Sequence, residues 1–482
     1  MKEIPLTIKD AAAALRNGSM TSVELTRAAF ARADALDPTL QIYITRMDES
    51  AMAEAERADA AFAIGLDKGP LQGIPVGLKD ILSTENAPTT AQSLVMDPNW
   101  SAQGDGPAVA RLRQAGAVIA GKAATHEYAC GGPDFEKPFP IPRNPWNQEY
   151  HCGGSSSGSG AGVSAGFFLG ALGTDTSGSV RWPAAACGVS GMMGSFGRVP
   201  KSGCTQNGFS LDHIGPLARS AWDCAAMMEV ISGFDATDIN SSQNPVPRYT
   251  DALDGDLSGM RVAVVRDGYS RLPDTLPECS EAFEEAVRVF EAAGARVEEI
   301  TIPHIEVFKT AQLINNSCEK SAIYLRRFQD HWEDWGRFTR VGMSSMGLFY
   351  NAADYLTSLR VRRYAVTTMR ELMAPYDVVL TPTFKGHIAK LAEMGYMSRH
   401  LLDAHPESLE LDRRPGDCCP DGLQQDRAAA LAPGSGEGLR RINSFQGGRR
   451  LPAPDGLAPA AAASAGRSCG TGVTGQDARR SD

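Results

Sequence analysis

The feature that most constrains this chain is the density of glycine and serine between residues 153 and 208. Two segments carry it: Gly153-Gly154-Ser155-Ser156-Ser157-Gly158-Ser159 and Gly173-Thr174-Asp175-Thr176-Ser177-Gly178-Ser179-Val180-Arg181. The stretch is too rich in glycine for ordinary helices, where each glycine costs about 1 kcal/mol relative to alanine. It is also too structured for a linker. Glycines let the backbone approach a ligand closely and turn through positive φ, so that successive N–H groups converge on an anion. Such a turn can serve as an oxyanion hole, and a serine at its tip is a candidate nucleophile once a base stands beside it.

Histidine is the usual base, and the chain has only eight. A lysine can do the same work when burial disfavours its ammonium form. Lys79 is the candidate, because Gly73-Ile74-Pro75-Val76-Gly77-Leu78-Lys79-Asp80 reads as a short apolar strand ending at a charged pair. Taken alone, such a lysine is ordinarily a surface cation, and a serine in a glycine turn is ordinarily a cap. Their combination is what points to nucleophilic catalysis.

The rest of the chain alternates helix and strand. Thr21-Ser22-Val23-Glu24 reads as a capping box opening a helix that Pro38 ends, and a second helix spans Glu49 to Ala63. A helix from Val109 leads into a strand at Ala117 to Gly121. Met260 to Val265 and Arg296 to Ile300 read as strands around a helix from Glu281 to Ala293. This alternation predicts one large α/β domain. Gly116, Gly121 and Lys122 imitate a phosphate-binding loop, but Ala123 stands where a Mg²⁺-binding hydroxyl is needed, so nucleotide binding is rejected. His126, Glu127 and His151 are not spaced as metal ligands.

Charge and composition narrow the class further. A net charge of −10 argues against non-specific nucleic-acid binding. Residues Met1 to Met20 show no secretory pattern, and the apolar run from Val163 to Leu172 is too short for a membrane helix. Ten scattered cysteines without a C-x-x-C pair suit reduced thiols. The expectation is a soluble cytoplasmic protein with no membrane association.

The run from Gly153 through Gly203, with Gly73 to Asp80 and Ser210 to Arg219, resembles the amidase signature family, whose usual form is close to G-G-S-S-G-G-S followed by G-T-D-T-G-G-S-I-R-x-P-A. The similarity extends from about Thr21 to about Thr383. It implies a single α/β domain over residues 1–400, with a central mixed β-sheet covered by helices on both faces. It further implies hydrolysis of a carboxamide C–N bond through an acyl-enzyme, without metal or organic cofactor. Position by position, Lys79 matches the catalytic base, Ser155 the relay serine held in a cis peptide, and Ser179 the nucleophile. The backbone N–H groups of Thr176, Ser177, Gly178 and Ser179 match the oxyanion loop, with Asp175 and Arg181 supporting its shape. Arg362 stands at a spacing resembling the substrate-binding arginine of the A subunit of tRNA-dependent amidotransferases, although it equally suits a solvated helix face beside Arg360 and Arg363. The partner expected is a small-molecule amide. Nucleic acid enters only if the chain serves a tRNA amidotransferase complex, against which Met192-Met193-Gly194 departs from the family's usual Leu-Lys-Pro. Oligomeric state is not readable.

The C-terminus breaks the pattern. After Thr383 the family's N-x-T-G-x-P-A segment and a following G-L-P-V-G-L-Q strand are absent, and residues 413–482 hold ten arginines, no lysine and one aromatic, Phe445. Such composition predicts disorder. A shifted reading frame accounts for it: Asp421 to Arg427 can be encoded so that the adjacent frame gives M-D-Y-N-R-T-G, and Leu439 to Ser444 so that it gives Y-A-V-S-I. Residues 401–482 are therefore set apart as an atypical tail. A chain lacking those core strands would be an inactive scaffold, which is the alternative of another class.

Overall fold

The computed structural model describes residues 4–101, 104–267, 275–340, 346–384 and 386–394, with the backbone of Ser444–Phe445. The chain divides into one unit over residues 1–448 and another over 449–482, and the second lies wholly outside the described residues. The atypical tail from 401 also lies outside them, apart from Ser444–Phe445.

Helices α1 (Ile8–Arg16) and α2 (Ser22–Leu40) open the fold. The capping box is formed: Thr21 Oγ1 accepts from Glu24 N, and Glu24 Oε2 from Thr21 N, each at 3.0 Å. Pro38 does not end α2 as the sequence predicts. The helix continues to Leu40 and stops at Gln41, whose φ is 54°. A proline this close to the terminus removes one helical hydrogen bond, and Asp37 caps the exit by accepting from Gln41 N and Ile42 N.

Next come β1 (Tyr43–Arg46), α3 (Asp48–Ala63), β2 (Pro75–Lys79), α4 (Pro107–Gln114) and β3 (Val118–Ala123). A short antiparallel pair, β4 (Arg143–Asn144) and β5 (Asn147–His151), precedes α5 (Ser157–Ala165), β6 (Gly170–Asp175) and α6 (Arg181–Cys187). Then follow β7 (Ser190–Met192), β8 (His213–Ala218) and α7 (Ala221–Ile231). Six of these strands form the central sheet in the order β1-β3-β2-β6-β8-β7. It is mixed: β2 runs parallel to β3 and β6, whereas β1 and β8 run antiparallel to their neighbours. Alternate residues feed opposite layers, as the strand period requires. Leu172 and Ile214 pack with Ile8, Leu112 and Met227 of α1, α4 and α7. Ala171 and Leu217 pack with Ala161, Val163 and Ala184 of α5 and α6. Helices therefore cover both faces, as expected.

Helix α5 is a correction to the sequence reading, which judged this stretch too glycine-rich to be helical. Close packing overrides propensity here. A Cβ on Gly158 would lie 2.6 Å from Ala124 N, and one on Gly162 would lie 2.6 Å from Phe168 Cε2. Only glycines let this helix settle onto the sheet directly after Ser155.

The remaining elements are β9 (Arg261–Val264), α8 (Pro277–Ala292), β10 (Arg296–Glu299), α9 (Ile305–Asp330), α10 (Met346–Phe349), α11 (Ala352–Met373), β11 (Val378–Leu380) and β12 (Ser444–Phe445). The strands around Val262 and Val297 do not join the central sheet. They form a separate parallel sheet, β10-β9-β11, whose Val262, Val264 and Leu380 pack on Phe283 and Val287 of α8. Its other face, Ala263 and Val379, packs with Met369 and Leu372 of α11. The backbone of β12 pairs in parallel with Gly191–Met192 of β7. The seven described cysteines are free, and no described helix is long and apolar enough to cross a membrane.

Candidate active site

Lys79 ends β2 between the neighbouring strands β3 and β6, and its side chain is fully buried. Its Nζ is hydrogen-bonded to Ser155 Oγ at 2.7 Å and to Thr174 Oγ1 at 2.8 Å. Burial pulls the ammonium from its ordinary 10.5 down to about 7, against the opposing pull of the Asp175 and Asp212 carboxylates. A lysine in this state is a usable base near neutral pH. Lys122, one strand away, has a different fate: it forms a fully buried ion pair with Asp80 at 2.9 Å and donates to Thr89 Oγ1.

Ser155 follows a cis Gly154–Ser155 peptide bond. Its carbonyl accepts from His126 N at 3.1 Å and from Thr125 Oγ1 at 2.8 Å. The His126 ring lies against Gly154, where a Cβ would come within 2.5 Å of Nε2, so this glycine is required by close approach. His126 and His151, which the sequence keeps apart, meet at 3.2 Å between their Nε2 atoms. Burial, then the charges of His151 and Lys79, hold His126 well below the ordinary imidazole range, and burial brings His151 down to about 4. Two neutral imidazoles thus lie against the segment that carries Ser155. Among the described residues, no cluster of three or more His, Cys, Asp or Glu side chains could hold a metal ion.

The loop from Thr176 to Ser179 joins β6 to α6. Asp175 and Arg181 form a bidentate pair beneath it, with Nε–Oδ2 and Nη2–Oδ1 both 2.9 Å. Burial alone would raise the Asp175 carboxyl, but Arg181 and the N–H groups of Gly178 and Val180 overcome this and hold it below its ordinary value. One expected oxyanion donor is spoken for: Gly178 N donates to Asp175 Oδ1 at 2.7 Å. A carboxylate at the base of a tight turn captures the N–H aimed inward. The candidate donors that remain are the N–H groups of Thr176, Ser177 and Ser179. Ser179 is half-buried, and its carbonyl accepts from Ser156 N at 3.2 Å, which draws this loop to the segment after Ser155. Among the described residues, the Ser179 hydroxyl makes no hydrogen bond, so the Lys79–Ser155 link is closed and the Ser155–Ser179 link is open.

Arg362, on α11, donates to Ser210 Oγ at 2.6 Å and Ser210 O at 2.8 Å. Ser210 is also bound by Glu319 of α9 through its N–H and hydroxyl. Glu319 approaches the space above Gly208, which Asn316 Oδ1 and Thr176 Cγ2 also border. Arg362 is thus not a free surface cation, because Ser210 holds its guanidinium. The sequence reading missed Thr174, and Asp212, which accepts from Thr176 Oγ1 at 2.6 Å. Thr174 reaches Lys79 only because β6 pairs with β2, a relation that no linear spacing displays.

A model of the Amidase family matches residues 24–411. The glutamyl-tRNA(Gln) amidotransferase A-chain protein of Roseiflexus sp. (strain RS-1) is 44% identical over 299 residues, which span 62% of this chain and 61% of that protein. The corresponding amidotransferase protein of Geobacter metallireducens is 36% identical over 416 residues, covering 82% of this chain and 85% of its own. The solved structure of native peptide amidase from Stenotrophomonas maltophilia superposes with a TM-score of 0.62 at 27% identity, covering 81% of this chain and 89% of that one.

Proposed function

This chain belongs to the amidase family, whose members hydrolyse amide C–N bonds, and on that premise we propose that Lys79, Ser155 and Ser179 carry the reaction in this protein. The observation that carries the reading is a fully buried Lys79, brought to about 7, hydrogen-bonded to Ser155 Oγ. With the amine neutral, the proton in that link belongs to the serine. Ser179 Oγ attacks the carbonyl as its proton passes to Ser155 and Ser155's proton passes to Lys79. The oxyanion forms against the loop's backbone N–H groups. The C–N bond then breaks as the same relay returns a proton to the departing amine. Water, activated by the same base, releases the acyl group from Ser179 as a carboxylate.

The first reading is a stand-alone amidase acting on a small carboxamide. Labelling with a fluorophosphonate probe, mapped by mass spectrometry beside Lys79→Ala, tests the three roles without knowledge of the substrate. Modification at Ser179 that the lysine variant loses supports them; folded protein that takes no label rejects them. The amidotransferase relatives favour a second reading, in which the chain releases ammonia from glutamine for a partner protein. Co-purification with such a partner and dependence on glutamine separate the two.

A further inference from the structure

The imidazoles of His126 and His151 are both buried, and neither belongs to the proposed trio. Where their hydrogens sit follows from what surrounds them. His126 Nδ1 lies 2.9 Å from Gly131 O, and a carbonyl only accepts, so Nδ1 carries a hydrogen. The Nε2 atoms of the two rings face each other at 3.2 Å, so one must donate and the other accept. Burial, then the charges of His151 and Lys79, keep His126 neutral, which leaves its Nε2 as the acceptor and makes His151 the donor. The far nitrogen of His151, Nδ1, is then the bare one. It finds no partner among the described residues, and a buried acceptor without a donor is tolerated more readily than a buried N–H without an acceptor.

His126 meets the Ser155 segment twice. Its backbone N–H donates to Ser155 O at 3.1 Å, and its ring fills the space over Gly154, where a Cβ would clash with it. Gly153 is packed as closely, because a Cβ there would lie 2.8 Å from Pro183 Cα of α6. The two glycines are therefore gripped by α6 and by the His126 ring, directly before the serine whose Oγ meets Lys79 Nζ. The ring is itself pinned at both nitrogens, by Gly131 O and by His151. His151 has a fixed base from which to do this. At the end of β5 its N–H donates to Ala389 O at 3.0 Å and its carbonyl accepts from Asn144 Nδ2 at 3.2 Å. The Trp182 ring stands edge-on to its imidazole, with centres 5.5 Å apart.

We propose that His151 is a positioning residue for the amidase reaction: its Nε2–H donates to His126 Nε2 and fixes the His126 ring against Gly154, so that Ser155 Oγ faces Lys79. The proposal rests on the reading of Lys79, Ser155 and Ser179 as the reacting trio. His151 takes no proton from the relay and acts only through His126. The titratable groups acting on His126 are His151 and Lys79, whereas burial alone acts on His151. A neutral His151 adds no charge at Lys79, so removing it should change the rate of Ser179 labelling without moving the pH at which that rate rises.

Two measurements test this. In protein carrying isotopically labelled histidine, nitrogen–proton NMR spectra report which ring nitrogen holds the hydrogen. His126 should hold it on Nδ1 and His151 on Nε2. This result needs no labelling chemistry, so it stands apart from the fate of the Ser179 reading and decides the proposal even if a variant fails to fold. A hydrogen on His126 Nε2 overturns it. Fluorophosphonate labelling of Ser179 across pH then compares the unaltered protein with His151→Phe, which keeps a ring and loses the donor, and His151→Gln, whose amide nitrogen can stand in for Nε2. The phenylalanine variant should label roughly fivefold to tenfold more slowly on the plateau, as one lost hydrogen bond allows, with the midpoint still at about 7. The glutamine variant should recover most of the rate. Undiminished labelling of His151→Phe overturns the proposal, as does a displaced midpoint or a glutamine variant as slow as the phenylalanine one.

Discussion

Lys79 Nζ and Ser155 Oγ lie 2.7 Å apart, and Lys79 is fully enclosed, so the lysine's proton affinity is set by the interior rather than by water. Thr174 Oγ1 is its second partner at 2.8 Å, and among the described residues no carboxylate bonds it. Two hydroxyls cannot offset the desolvation of an ammonium, which is why burial dominates and the amine is neutral at moderate pH.

The first consequence is a pH profile. In the proposed mechanism the active base is the neutral amine, so the rate of Ser179 labelling should rise with pH through about 7 and level off above it, falling tenfold per unit below. The stability sign agrees. Between about 7 and 10.5 the unfolded chain holds a proton on Lys79 that the folded chain does not, so this group makes stability increase with pH across that window. A labelling rate that is flat from pH 5 to 9 would remove Lys79 as the base.

Thr174→Val keeps the shape of β6 and deletes one of the two partners of Lys79. Losing one hydrogen bond of about 1–1.5 kcal/mol should slow labelling roughly tenfold through misorientation of the amine. Circular dichroism should be unchanged. An undiminished rate would mean Ser155 alone orients the base.

Arg181→Met leaves the Asp175 carboxylate buried with its ion-pair partner gone. Breaking a buried pair from one side costs about 3–5 kcal/mol, so urea unfolding should show a loss of that size. Labelling should fall with it, since Gly178, Val180 and Arg181 all hang their N–H groups on Asp175. A loss below about 1 kcal/mol would show that the loop holds its shape without this pair.

Gly162→Ala sets two effects against each other. Alanine favours a helix by about 1 kcal/mol, but its methyl would clash with the Phe168 ring. Overpacking of about 1–3 kcal/mol should win, giving a lower denaturation midpoint. A stabilised variant would mean α5 does not pack as tightly as described.

The C-terminal segment makes a prediction at the level of DNA. Codons for Asp421 to Arg427 should read, in the adjacent frame, as M-D-Y-N-R-T-G, and those for Leu439 to Ser444 as Y-A-V-S-I. Codons incompatible with either peptide would rule out a shifted frame.

What the sequence determined by itself was local and repetitive. The Thr21–Glu24 capping box, the apolar strand ending at Lys79 and the strand before the Gly178 turn are legible because each depends on residues within a few positions. The proposed trio of Lys79, Ser155 and Ser179 was picked out for another reason: three motifs stand in one family's order, and that order carries a history of the fold. Tertiary structure decided the rest. Pro38 stayed inside α2 and the glycines of α5 became a helix, because packing outweighs propensities of about 1 kcal/mol. Thr174 reached Lys79, His126 met His151, and Gly178 turned its N–H to Asp175 through contacts between groups brought together only by strand pairing and loop closure.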